Sequence, residues 1–256
     1  MRHAIEELEI SELADYPIPI TIMELRGNRG KLEEVKQFYT LNATAKRVRT
    51  DLAERLLLML SEIDPQFEEE MIRQHRKWRL RGTKIVQILN DRPGSPWHRR
   101  IKKPNSPRGE GVASETTVRT SLKPLLTGGF TGEVDDETLV RLLTNLWNAL
   151  EELMPEPFKD PADYVIQKSP GTFTIHMVAP RIFELCRQGN DYSVGGIKAI
   201  LTGTAEAQEY FANEEFWRGQ ALDGEGAALY NGMGGFAQLA NEIQQALPEI
   251  KVQIDV

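Results

Sequence analysis

One amphipathic stretch constrains the fold of this chain more than any other feature. Asp135 and Asp136 are followed by Leu139, Leu142, Leu143, Leu146, Trp147 and Leu150. Spacings of three and four put these six large apolar side chains on one stripe of a helix. Acids in the first turn suit the positive end of the helix dipole. Pro155 and Pro157 close the stretch, because proline has no amide hydrogen to continue the helical ladder. A helix this one-sided needs a core to face, so the C-terminal half is expected to be a packed helical body.

Shorter signals organise the rest. A helix is expected over about residues 2–12. Ile18, Ile20 and Ile22 then alternate with Pro17, Pro19 and Thr21, as in a half-buried edge strand. A turn at 27–30 precedes a helix over 31–39. Thr50 or Asp51 can cap a helix with Leu52, Leu56, Met59, Leu60 and Ile63 on one face. Asp64-Pro65 begins another, running from Gln66 to about Asn90, with Gly82 as its weak point. Residues 91–113, rich in Pro, Gly, Ser and Arg, read as a loop or linker. Ser114 is placed to cap a short helix ending near Leu122. A break at Thr127-Gly128-Gly129 follows. Residues 171–188 read as helical, with Pro180 expected to kink or split them. Helical pieces continue to Leu247, and 251–256 suits a short strand. The expected class is α+β, mainly helical, with three parts: 1–90, a basic linker at 91–113, and a helical region at 114–256.

Charge is the strongest pointer to a partner. Residues 71–108 hold twelve Lys and Arg against one acid, Asp91, whereas the whole chain carries −7. The segment is therefore at +11 and the remainder at −18. Arg73, Arg76 and Lys77 share one side of a helix, and Arg79, Arg81 and Lys84 widen that stripe. Trp78 lies among them, where an aromatic ring can stack on a base. Trp97 and His98 then lead into Arg99, Arg100, Lys102 and Lys103. Such a surface would contact phosphates and give salt-sensitive affinity with little sequence information. The plainer reading is a solvated basic face paired with the acidic remainder, its tryptophans buried.

Other chemistries find little footing. The four histidines are scattered, and Cys186 alone cannot build a zinc site or an intrachain disulfide. It sits among Ile182, Phe183 and Leu185 and is expected to be a buried thiol, in keeping with a reducing cytoplasm. The glycines around 224–226 and 232–235 lack the phosphate-loop pattern and read as turns at helix starts. No apolar run approaches the roughly 18 residues of a membrane span. Glu6, Glu7 and Glu9 do not suit a signal peptide. Lys46, Arg47 and Arg49 precede a helix start, where cations oppose the dipole, and a bound anion would explain them. An ordinary loop-to-helix junction would serve equally well.

The stretch Phe38-Tyr39-Thr40-Leu41-Asn42-Ala43-Thr44-Ala45-Lys46-Arg47-Val48-Arg49-Thr50-Asp51-Leu52 resembles a segment of DGQHR-domain proteins. That group contains DndB-like regulators of DNA phosphorothioate modification. Arg2 stands where the signature's Arg would lie, with its Asp, Gly and Gln absent. The chain thus resembles a member truncated at its N-terminus within that signature. Phe216-Trp217 followed by glycines resembles the family's C-terminal end. The resemblance implies a partial ParB/sulfiredoxin-like front part, with Arg2, Asn42, Lys46 and Arg47 as motif remnants or anion contacts. It also implies a DNA-modification or defence setting.

These readings converge on a cytoplasmic protein that docks electrostatically on duplex DNA, with transcriptional regulation as one role open to it. Protein partners from a modification system are possible, with no membrane association. No cofactor, metal or catalytic residue is expected, since the nucleotide-related signature is largely missing. One alternative is an NTP-hydrolysing enzyme whose true start lies upstream. A further one is a non-catalytic interaction subunit.

Overall fold

A computed structural model describes residues 77–103, 111–220 and 224–250, together with Gly30, Glu34, Gln37, Arg55, Leu58, Met59, Ser61, Glu62 and Glu69, all helical. The expected helix over 2–12, the strand over 16–25 and the strand over 251–256 lie outside the described residues. So do Arg2, Asn42, Lys46, Arg47, Arg73 and Arg76.

The protein is mainly helical. Helix α1 (Lys77–Asp91) leads through an irregular turn into β1 (Ile101–Lys102), which pairs in parallel with β2 (Ala113–Ser114). Then come α2 (Glu115–Ser121), α3 (Lys123–Thr127), α4 (Gly129–Glu133), α5 (Asp136–Leu153) and α6 (Glu156–Lys159). The long α7 (Ser169–Gly189) is followed by α8 (Val194–Leu201), α9 (Ala205–Phe211) and α10 (Gly232–Ala246). Short 3-10 turns at Glu214–Trp217 and Ala227–Leu229 link the last two helices. None of the described helices is long and apolar enough to cross a membrane.

Local signals account for much of this. Ser114 Oγ accepts from Thr117 N at 3.0 Å and caps α2. Asp135 accepts from Thr138 N at 2.8 Å and caps α5. Every member of the α5 stripe from Leu139 to Leu150 is buried. Helix α7 runs through the middle of the body, packed on α2, α3, α8 and α10. Pro180 does not split it. Pro180 has no N–H for the His176 carbonyl, and one residue on the Met177 carbonyl accepts from Gln244 Nε2 of α10 at 3.0 Å, which ties α7 to α10 beside the proline.

Three expectations are corrected. The described part of 91–113 is no linker between separate bodies. Trp97 is fully buried and sits edge-on to Trp147, with ring centroids 4.9 Å apart. One continuous core runs from Ile85 through Trp97 to Leu247. A tryptophan's apolar area outweighs the polar composition around it. Met59, expected on a buried face, is 50% exposed, in keeping with its place at the edge of that stripe. Gly82 is a contact point rather than a weak one: a Cβ there would lie 2.9 Å from Arg119 Cγ, so glycine lets α1 approach α2 closely.

A buried polar chain crosses the centre of the core. Trp147 Nε1–H donates to His176 Nε2 at 3.1 Å. That leaves the proton on Nδ1, which donates to Ser121 Oγ at 2.7 Å, and Ser121 donates onward to the Val118 carbonyl at 2.7 Å. Burial pushes the His176 pKa down to about 3. Cys186 is buried as expected, and burial raises its thiol to about 11.

Candidate nucleic-acid interface

The cationic segment divides along α1, a helix of 15 residues and so about 22 Å long. At its N-terminal end Lys77 is exposed, and Trp78 is half-buried between two cations. The Arg79 guanidinium carbon and Lys123 Nζ each lie 5.6 Å from the Trp78 ring centroid. The ring therefore already has cation–π partners, one of them, Lys123, not singled out in the sequence.

Arg81 is a correction. Its Nε donates to Asp136 Oδ1 at 2.9 Å, Nη1 to the Gly132 carbonyl at 2.7 Å and Nη2 to the Val134 carbonyl at 2.8 Å. All of these acceptors lie at the turn from α4 into α5, so Arg81 is a strut and not a free phosphate contact. Lys84 pairs with the same carboxylate, Nζ to Asp136 Oδ2 at 3.2 Å. The stripe is real in sequence, but α5 brings an acid against it.

The other end of α1 differs. Its C-terminal turn and the following loop are tied together by Asn90. The side-chain Oδ1 of Asn90 accepts from Ile101 N, and its backbone carbonyl accepts from Arg99 N, both at 2.9 Å. In β1, Ile101 points into the core and Lys102 outward, the alternation a strand imposes. Trp97 turns inward, which leaves Arg99 exposed with a left-handed φ of 56°, rare for a residue with a Cβ. Arg100 is half-buried and donates from Nη1 to Gln167 Oε1 at 2.9 Å, so it too is largely committed to the fold. Lys103 pairs with Asp91 at 3.0 Å, both side chains more than half exposed. Such a pair is worth little in water.

Together these residues border an open hollow of about 520 Å³, with Asn90, His98, Arg99, Lys102 and Lys103 around it and Asp91 as the acid in its lining. Neither Arg99 nor Lys102 makes an ion pair with a described residue. Asn90 and Asp91 were not foreseen as site residues. An asparagine at a helix end usually signals only a cap or turn. Among the described residues, no group of three His, Cys, Asp or Glu is placed to hold a metal ion.

No known protein family, characterised protein or solved structure matches this chain.

Proposed function

We propose that this is a cytoplasmic protein that docks on duplex DNA through the open end of its cationic segment. The observation that carries this reading is the exposure of Arg99 and Lys102 on one rim, beside the weakly held Lys103. A rim of this kind recognises phosphates by charge and fixes position more than sequence. Arg81 and Lys84 are not assigned to it. The modification or defence setting, the DGQHR kinship and a ParB/sulfiredoxin-like front part rest on the resemblance of residues 38–52 and belong to the same proposal.

The test is a fluorescence titration of the protein with a short duplex at several salt concentrations. With about three to five phosphate contacts, affinity should fall about 40- to 500-fold between roughly 50 and 200 mM salt. An Arg99→Gly/Lys102→Ala variant should bind more weakly with a shallower salt slope. An affinity that does not respond to salt, or that the variant retains in full, would sink the proposal.

A further inference from the structure

The hollow at the end of α1 has more than surface charge. Asn90 is only 5% exposed, yet it lines the hollow. Its Oδ1 is already used by Ile101 N, which settles the orientation of the amide. The Nδ2 group has no hydrogen-bond partner among the described residues. That donor is therefore open to a ligand in the hollow. His98 also lines the hollow, and its buried Nδ1 has no partner among the described residues. The rim then adds Arg99, Lys102 and Lys103. Donors and cations predominate, and the one acid in the lining, Asp91, is held by Lys103.

Arg99 adds a geometric point. A left-handed backbone at a non-glycine residue is strained and persists where surrounding structure imposes it. Here the Arg99 N–H bond to the Asn90 carbonyl imposes it, and it holds the guanidinium at the rim above the Asn90 amide's hollow. An arginine is suited to a phosphate because its planar fork can bond two oxygens at once. A neutral carbonyl ligand would satisfy Asn90 but leave Arg99 and Lys102 unanswered. A carboxylate is a poorer match for donors spread around a hollow than a group with three or four oxygens.

The geometry points to a seat for one phosphate group, with Asn90 Nδ2 as its neutral donor and Arg99 and Lys102 as its charge partners. This deepens the DNA-docking reading by naming the group that is gripped, and for its source it rests on that reading. The phosphate is expected to come from the DNA backbone, and a free nucleoside monophosphate offers the same chemistry.

Calorimetric titration with inorganic phosphate, at ionic strength held constant with chloride, tests the seat directly. The parent chain should bind, and Arg99→Gly should lose about tenfold, the loss of one charged contact of roughly 1.4 kcal/mol. Glycine accepts the left-handed backbone, so this variant should melt no lower than the parent. Asn90→Asp keeps an oxygen for Ile101 N but sets a carboxylate against the phosphate, and it should lose at least as much. A parent that does not bind millimolar phosphate, or variants that bind it as well as the parent, would overturn the seat. Duplex docking would then stand or fall on its own salt titration. An unphosphorylated duplex that displaces phosphate assigns the seat to the polymer backbone. Displacement by a nucleoside monophosphate but not by duplex keeps the seat and removes the DNA reading.

Discussion

Residues 77–84 and residues 97–103 look alike in sequence, each a short run of cations with one tryptophan, yet they have opposite fates. In the first run Arg81 is locked by three hydrogen bonds to the α4–α5 turn, and Lys84 shares its Asp136 partner. In the second, Trp97 turns inward while Arg99 and Lys102 remain exposed. The tryptophans divide in the same way: Trp78 lies under two cations, and Trp97 is in the core. The lesson is that a cation's availability depends on which acid the fold brings to it. A run of positive charge is a strut where the fold supplies a half-buried carboxylate and stays exposed where it does not. Substitutions in the sealed run should therefore cost stability, and substitutions in the open run should cost binding.

The largest effect is expected at the most deeply sealed charge. Glu115 has a side chain 1% exposed and pairs with Arg55, whose Nε lies 3.0 Å from Oε2. Arg55→Ala leaves that carboxylate buried without this partner and should lower stability by about 3–5 kcal/mol. Chemical denaturation measures it, and Arg55→Ala/Glu115→Gln should recover part of the loss. A loss under about 0.5 kcal/mol, typical of surface sites, would mean that the charge is not sealed.

Arg81→Ala comes next. Removing three bonds from a side chain 17% exposed should cost about 2 kcal/mol and leave DNA affinity nearly unchanged. A variant that is stable but binds DNA poorly would reverse the contrast between the two runs.

Acid should act on the sealed interior by a similar amount. His176 has an ordinary pKa of 6.5, lowered to about 3 in the fold. Between these values the unfolded chain binds a proton that the folded chain refuses. The stability contributed by the neutral ring is fully present above pH 6.5 and is lost as pH falls toward 3. At pH 5 the loss is about 2 kcal/mol. Thermal melts across this range should show it, and a His176→Gln variant should have a flatter profile.

Arg99→Gly should have the opposite sign on stability. Relief of the left-handed backbone, about 1–3 kcal/mol, is offset by the larger entropy of unfolded glycine, about 0.4–1 kcal/mol. The fold should be unchanged or gain up to about 2.6 kcal/mol while DNA binding weakens. The smallest effect on stability belongs to Lys102→Ala, within about 0.5 kcal/mol. Its signature is a salt slope reduced by about 1. An unaltered slope would remove Lys102 from the interface.

What the sequence determined by itself is local. The stripe from Leu139 to Leu150, the acids that open its helix, the cap at Ser114 and the burial of Cys186 follow from spacings within a few helical turns, and the structure has all of them. Periodicity and capping depend on neighbours three or four residues away, so one strand of text carries them. The tertiary structure decided what lies between distant residues. Arg81 meets an acid 55 positions on. Gln244 of α10 reaches the Met177 carbonyl, 67 positions back. Trp97 leaves its polar loop for Trp147. Asn90 spends its oxygen on Ile101 and keeps its amide over the hollow. Charge neutralisation and burial depend on which surfaces meet, and composition does not specify that. The sequence located the cations, and the packing of α5 against α1 decided which of them remain free for a ligand.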